Sequence, residues 1–209
     1  MNKIKQLALK YLGHTNQELT ESFDNLLDEC VKEVMEIAQL KVYWQRYSLE
    51  HPLRVEELDI LISSESLEFN LENCKECIVI ASTLGVQIDK KIKYYASYDM
   101  SKGIVFDAVA SAYLEVGCDE YEDKYLPENR SYRYAPGYSD IPLSLNRLFA
   151  TRMNLYKHLG ISIDQNDLFI PMKTMLGIIG IGKVEKTKSC KGCRQLNDCE
   201  FLRRNQTCY

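Results

Sequence analysis

The sequence predicts an α+β protein in which helices flank a central antiparallel or mixed sheet, followed by a Cys-rich C-terminal tail. Strand patterns are adjacent in some places along the 209 residues and separated by helices in others, unlike the regular alternation of a βαβ array. The composition, 45% hydrophobic and 27% charged, is ordinary for a globular protein with a full core. We assign residues 1–183 to this domain and residues 184–209 to the tail.

One helix and three strands are predicted in the first half of the chain. The run Thr15-Asn16-Gln17-Glu18 has the form of a capping box, which predicts a helix beginning at Thr15, and apolar residues recur at helical spacing as far as Ala38. Three stretches have strand patterns: residues 41–47, 58–63 and 77–84. The third is predicted to be buried because Ile78 to Ala81 are all apolar, and Gly85 marks the turn after it.

Three helices and two short strands are predicted in the second half. Apolar spacing indicates a short helix around Ile92 and a longer one over residues 99–119. Residues 121–142, which contain three Pro and one Gly, are predicted to form a loop. Ser144 is predicted to cap a third helix, which Gly160 ends. The closing strands are predicted at residues 169–170 and 176–181.

Charge and hydropathy argue against several classes of function. The net charge of −4 disfavours a general nucleic-acid-binding protein. No apolar run approaches the ~20 residues that a membrane-spanning helix needs, and the N-terminus lacks the apolar segment of a signal peptide. We therefore expect a cytoplasmic protein whose partners include neither a nucleic acid nor a membrane.

Residues 133–138 form the most unusual segment, because a cation, a rigid turn and an aromatic ring lie close together. An Arg fork binds a carboxylate through two hydrogen bonds, and a Tyr face attracts a sulfonium or ammonium group by ~0.5–2 kcal/mol. Arg133 and Tyr138 therefore suit an amino-acid-like ligand that carries additional positive charge. The alternative, on local evidence, is a structural Pro-Gly turn beside a surface Arg.

This segment, Arg133-Tyr134-Ala135-Pro136-Gly137-Tyr138, resembles the Arg-x-x-x-Gly-Tyr motif of the S-adenosylmethionine-binding activation domain of cobalamin-dependent methionine synthase, in its Arg-x-Ala-Pro-Gly-Tyr form. Thr83-Leu84-Gly85 resembles the turn that precedes the family's long helix. Residues 168–182 resemble the closing segment whose backbone lines the adenine. The similarity covers residues 76–182, with weaker similarity of the N-terminal part to stand-alone forms of the domain.

The resemblance implies an α+β fold that binds S-adenosylmethionine in a shallow groove. It implies that Arg133 holds the ligand's carboxylate and that Tyr138 packs near the ligand. Glu115 or Glu128 is implied to contact the ammonium group, although Glu128 lies one residue closer to the Arg than in the family. The other implied binding residues are Ala135, Gly137, Gly177 and Ile179. Because the family has aromatic residues where this chain has Ile178 and Ile179, any adenine contact there is expected to be backbone or aliphatic.

The resemblance also implies a role in the methionine synthase (methyltransferase) system of methionine biosynthesis. When the enzyme's cobalamin (vitamin B12) is oxidised to cob(II)alamin, an electron donor reduces it and S-adenosylmethionine supplies the methyl group. The domain contributes positioning rather than acid–base chemistry, so we expect no independent catalysis. The implied partners are an electron donor and a methionine synthase or other corrinoid protein acting in trans, because homocysteine-, folate- and cobalamin-binding modules are absent from these 209 residues.

Four of the eight Cys residues lie near the C-terminus, in a segment rich in Lys and Arg. They are predicted to form a metal site: Cys190, Cys193, Cys199 and Cys208. Four thiolates suit zinc or a 4Fe–4S cluster, and ligand type alone does not separate the two. The electron that cobalamin reactivation needs favours the cluster. The alternative is a tail of reduced thiols without metal.

The other cysteines are interpreted as structural. Cys74 and Cys77 form a second Cys-x-x-Cys pair, but Cys77 opens a predicted buried strand. Cys30 and Cys118 fall on helical faces and are interpreted as small core residues.

Two further functions remain open at this point. One is an iron–sulfur or zinc-binding electron-transfer or accessory protein for a corrinoid methyltransferase, with no role for S-adenosylmethionine. The other is a structural partner subunit that uses the same surface only for docking. Loss of reactivation on replacing the tail cysteines, with ligand binding intact, would favour the accessory protein.

Overall fold

The computed structural model describes residues 2–14, 17–182 and 199–203. It confirms the predicted α+β class, with a five-stranded antiparallel sheet and flanking helices. The helices are α1 (Asn2–Tyr11), α2 (Glu21–Ile37), α3 (Glu65–Leu71), α4 (Val86–Tyr98), α5 (Met100–Tyr125), α6 (Leu145–Arg152), α7 (Leu155–Leu159) and α8 (Glu200–Arg203). The strands are β1 (Lys41–Glu50), β2 (Arg54–Val55), β3 (Ile60–Leu61), β4 (Cys74–Thr83), β5 (Ser162–Ile163), β6 (Phe169–Ile170) and β7 (Thr174–Gly182).

The main sheet has the strand order β3-β2-β1-β4-β7, and each neighbouring pair is antiparallel. β4 pairs along most of its length with β1 on one side and with β7 on the other. β5 and β6 form a separate two-stranded hairpin. The sequence predicted either an antiparallel or a mixed sheet, and the structure shows that the sheet is antiparallel.

Apolar layers cover both faces of the sheet. Alternate residues of β4 point to opposite faces, so Val79 packs in the layer that contains Phe149 of α6, and Ile80 packs in the layer that contains Tyr121 of α5. Helices α1, α2 and α4 pack against the outer side of α5. α5 thus lies between the sheet and the other helices.

The first predicted helix begins at a different residue. α2 starts at Glu21, because Thr20 caps it: the backbone N–H of Phe23 donates to Thr20 Oγ1 at 3.3 Å. Residues 17–20 are not helical, so the predicted start at Thr15 is wrong, and Thr15 itself lies outside the described residues. The true cap has the same chemistry as the predicted one, five residues later.

Helix α1 and the region around β3 were not foreseen correctly. α1 buries only Ile4 and Ala8 fully, a stripe too short to give a clear helical period. The predicted strand at 58–63 is reduced to β3, preceded by a 3₁₀ turn at Glu56–Leu58. Asp59 adopts a left-handed conformation with φ 52°, which interrupts the extended backbone between them.

The second half of the chain shows two similar corrections. α5 continues to Tyr125, so the loop predicted to begin at residue 121 starts later. The third predicted helix is divided into α6 and α7 by Asn154, which has φ 51°. Ser144 precedes α6 but makes no side-chain cap hydrogen bond, whereas Gly160 ends α7 in the left-handed conformation, as predicted.

The four cysteines outside the tail are buried. Cys30 and Cys118 belong to the apolar cluster around α5, and Cys118 Sγ lies 2.8 Å from Ser82 Oγ of β4. Cys74 and Cys77 lie in the layer on the opposite face of the sheet. All four are free thiols, and their interpretation as core residues is confirmed.

α5 is 26 residues long, but it contains charged residues in both its first and its second half. Within residues 2–14, 17–182 and 199–203, no helix has both the length and the apolar character that crossing a bilayer requires.

A carboxylate fastens the loop after residue 133 to α3. Asp140 Oδ1 accepts hydrogen bonds from the hydroxyls of Ser64, at 2.8 Å, and of Ser66, and its Oδ2 accepts one from the Ser66 backbone N–H at 3.2 Å. Ser64 is also the N-cap of α3. Partial burial opposes ionisation of Asp140, but these hydrogen bonds outweigh it and hold the pKa of the carboxyl well below its usual range.

We expect Asp140→Asn to lower the free energy of unfolding by about 1–2 kcal/mol at pH 7, because charge-assisted hydrogen bonds become neutral ones. Since folding lowers this pKa, the stabilisation is complete above the unfolded value of about 4 and is lost as the pH falls below it. Urea unfolding at pH 7 and at pH 3 should therefore show the gap between wild type and variant narrowing in acid. Asp59→Asn, at an exposed pair with Arg54, is the control and should change little. A gap that does not depend on pH would contradict the assignment.

Candidate functional site

The segment 129–134 lies along the free edge of β7. The backbone N–H of Tyr134 donates to the Ile178 carbonyl oxygen at 2.9 Å, and the Ile178 N–H donates back at 2.8 Å. The Ser131 N–H donates to the Gly180 carbonyl oxygen, and the Gly180 N–H donates to Ser131 Oγ, both at 2.9 Å. These bonds fix the register of the segment and hence the face towards which each side chain points.

Arg133 and Gly177 meet on the α5 side of this edge. A Cβ atom at Gly177 would lie 2.1 Å from Arg133 Cγ and 2.6 Å from Cδ, so only glycine leaves room for the aliphatic part of the Arg side chain. Tyr134, the next residue, packs against the layer on the opposite face. The structure thus brings together two residues that the sequence placed in the site separately.

Three carboxylates of α5 surround the Arg133 guanidinium. Glu122 accepts a hydrogen bond from Nη1, and both of these side chains are 8% exposed. Nη2 donates to Glu115 Oε1 at 3.1 Å and to Asp119 Oδ1 at 3.3 Å. We call these four residues the Arg133 cluster; it contains one formal positive and three formal negative charges.

The carboxylates meet because of their spacing on one helix. Positions i, i+4 and i+7 share a face of an α-helix, and on α5 this face meets Arg133 at the edge of β7. The same face continues towards the start of α5 with Asp107 and Ser111. Lys173, just before β7, lies with its Nζ 2.9 Å from Asp107 Oδ1 and 2.8 Å from Ser111 Oγ. A row of charged and hydroxyl groups therefore separates α5 from the β7 edge.

A compact turn after Arg133 holds Tyr138 outwards. Gly137 has φ 89°, which favours glycine, and its N–H donates to the Ile141 carbonyl oxygen at 2.9 Å. Pro136 is buried, Ala135 is partly buried, and Tyr138 is 74% exposed. The Pro-Gly turn is thus structural, as the local alternative held, and it still leaves the Tyr138 ring available to a ligand.

Tyr11, at the end of α1, lies beside the cluster. Tyr11 is half exposed, and its partial burial, together with the charge of Glu115 and the proximity of Tyr138 and Asp119, raises its pKa to about 12, against an opposing effect of Arg133. A second phenol therefore borders the carboxylates. No period or spacing along the chain connects Tyr11 with residues more than a hundred positions away.

The remaining predicted site residues have different surroundings. Glu128 is exposed and does not join the carboxylates around Arg133. Ile179 is fully buried in the layer between the sheet and α5, so its side chain belongs to the core. Arg133 itself is not the surface Arg of the local alternative, because it is paired and largely buried.

Most of the predicted metal site lies outside the described residues, namely Cys190, Cys193 and Cys208. Cys199 is described, as a partly buried free thiol just before α8. Within the ranges that the structure describes, no three His, Cys, Asp or Glu side chains are grouped to hold a metal. The tail site therefore stays a prediction.

Two members of the Arg133 cluster, Asp119 and Glu122, and the adjacent Tyr11 were missed from the sequence. The signal for the two carboxylates was present, since Glu115, Asp119 and Glu122 are spaced as one helical face. Without the sheet topology, however, nothing indicated that this face lies opposite Gly177 and Arg133. A buried guanidinium among carboxylates positions charge and recognises ionic groups.

No protein-family model matches the chain, and no curated protein matches it in sequence. Its structure is similar to a solved structure described as the MetH reactivation domain bound to AdoHcy, with a TM-score of 0.61 and 12% sequence identity. The match covers 92% of this chain and 76% of that chain. The chain thus has the reactivation-domain fold that the resemblance implied.

Proposed function

We propose that this chain binds S-adenosylmethionine at the Arg133 cluster and supports the reductive remethylation of cobalamin on a partner protein. The observation that carries the proposal is the fold likeness to a reactivation domain solved with AdoHcy, the demethylated form of this ligand. The motif at residues 133–138 and its meeting with Gly177 add support from this chain's own residues.

The charges of the cluster fit such a ligand. S-adenosylmethionine has one carboxylate and two positive centres, an ammonium and a sulfonium. The cluster has the complementary set of one guanidinium and several carboxylates, of which Glu115 and Asp119 are partly exposed. Opposite charges pair favourably where water is partly excluded, so the site suits a ligand of this charge pattern.

The roles of individual residues follow from this fit. We assign the ligand's carboxylate to Arg133 and its ammonium group to Glu115, with Tyr138 packing against the ligand. Glu128 contributes less, because it lies apart from the cluster. We assign backbone contacts to the remaining residues of the site, Ala135, Gly137, Gly177 and Ile179. The Ile179 side chain itself is buried in the core.

The bound ligand supplies a methyl group for transfer to reduced cobalamin. The chain's own residues bind and orient it, which is the positioning role of the activation domain. The proposed partners are a methionine synthase or another corrinoid protein in trans and an electron donor. The tail cysteines are proposed to hold a 4Fe–4S cluster or zinc; iron, acid-labile sulfide and zinc analysis of anaerobically purified protein distinguishes these from an empty tail.

Isothermal titration of the full chain with S-adenosylmethionine tests the proposal. We expect saturable binding at one site, and no binding of ATP, whose negative triphosphate would lie beside the carboxylates of the Arg133 cluster in place of the amino-acid end. Adding the chain and S-adenosylmethionine to a reduced corrinoid methionine synthase without its activation domain should then yield methylcobalamin, seen by its absorbance. Absence of binding by wild type contradicts the proposal; binding without methylcobalamin contradicts only its second part.

A further inference from the structure

The three carboxylates that pair with Arg133 differ in exposure. Glu122 is 8% exposed and holds Nη1, whereas Glu115 and Asp119 share Nη2 and are 37% and 53% exposed. Asp119 also makes the longest of the three contacts, at 3.3 Å. An exposed ion pair of this kind contributes little free energy, so of the three it is the most easily exchanged.

We infer that Asp119 occupies the position of the ligand's carboxylate on Arg133 and is displaced when the ligand binds. This rests on the proposed function and names how the same site selects its ligand. Glu122 stays in place because it is buried with the guanidinium, and it keeps Arg133 extended over Gly177. Nη2 then exchanges one carboxylate for another, which preserves its hydrogen bond.

The exchange makes binding depend on the ligand's positive charge. An incoming carboxylate adds a negative charge to a cluster that already has more negative than positive groups. A ligand with an ammonium and a sulfonium compensates for that charge, because Glu115 and the displaced Asp119 attract these two groups. A thioether analogue has only the ammonium and leaves one carboxylate without a partner. Asp119 therefore favours the methyl donor over its demethylated product.

Asp119→Asn tests the inference, with Glu120→Gln as the matched control. Glu120 is the next residue of α5, is exposed, and makes no contact with Arg133. Titrations of each protein use three ligands: S-adenosylmethionine, S-adenosylhomocysteine and methylthioadenosine, which lacks the amino-acid end. Asp119→Asn should lower the ratio of S-adenosylmethionine to S-adenosylhomocysteine affinity by about two- to fivefold, the range expected for one partly exposed charge.

Methylthioadenosine separates this effect from a change in the site as a whole. Its affinity should be the same in wild type and Asp119→Asn, because it has no carboxylate to exchange. If Asp119→Asn and Glu120→Gln show the same ratio of S-adenosylmethionine to S-adenosylhomocysteine affinity, and wild type binds both ligands, the role of Asp119 is overturned. The proposed function is not affected by that result. A wild type that binds none of the three overturns the proposed function and this inference together.

Discussion

Replacing Gly177 by alanine is expected to abolish detectable binding of S-adenosylmethionine and to lower the free energy of unfolding by about 1–3 kcal/mol. The added Cβ would lie 2.1 Å from Arg133 Cγ, closer than any real contact. The Arg133 side chain has little freedom to retreat, because its guanidinium is paired with α5 and the backbone beside it is bonded to β7. Displacing it moves the group to which we assign the ligand's carboxylate.

Gly180→Ala is the matched control for this variant. Gly180 is on the same strand, and a Cβ there would meet Leu71 Cδ2 at 2.5 Å and Cys74 Sγ at 2.6 Å, on the opposite face of the sheet. We therefore expect similar destabilisation but retained ligand binding. Urea unfolding and titration of both variants make the comparison. Wild-type affinity in Gly177→Ala would show that the position of Arg133 does not matter.

The second large effect is expected from Arg133→Met, which keeps an unbranched apolar stem in place of the Arg side chain but removes its charge. Glu122 would then be a buried carboxylate without its cation, a change that typically costs about 3–5 kcal/mol. Glu115 and Asp119 add little to this cost, because both reach solvent. We expect a correspondingly lower free energy of unfolding at pH 7, measured by urea denaturation.

A double substitution checks this cause. Arg133→Met combined with Glu122→Gln should recover part of the loss, because the buried negative charge is gone, with a coupling of about 1–3 kcal/mol. Arg147→Met, at a half-exposed pair with Asp167, should cost under about 1 kcal/mol. Additive effects of Arg133→Met and Glu122→Gln would contradict the pairing, whatever their individual sizes.

The elements that the sequence predicted well are those with long apolar patterns. The buried run Ile78 to Ala81 indicated β4, and the stretch after Asp99 indicated α5, because burial on a strand or along a helix leaves a clear period. Short elements were predicted poorly because they bury too few residues to show a period. α1 buries only Ile4 and Ala8 fully, and the break at Asn154 depends on one left-handed residue that no pattern reveals.

Only part of the candidate site was predictable from the sequence, for a different physical reason. Arg133 and Tyr138 were identifiable because turn chemistry and ligand chemistry are local in the sequence. The partners of Arg133 are not local: Glu122 lies on another element, and the space over Gly177 exists only once the segment 129–134 is bonded to β7. The sequence therefore identified Arg133 but predicted only the ligand's carboxylate as its partner. The structure pairs the Arg133 guanidinium with three carboxylates of α5.

A crystal structure of the chain grown with saturating S-adenosylmethionine tests the central claim most directly. We predict the ligand beside α5, with its carboxylate on Arg133 Nη2, its ammonium group near Glu115 and its ring system close to Tyr138. A ligand bound elsewhere, or a cluster in which Glu115, Asp119 and Glu122 still fill every position around Arg133, would contradict it.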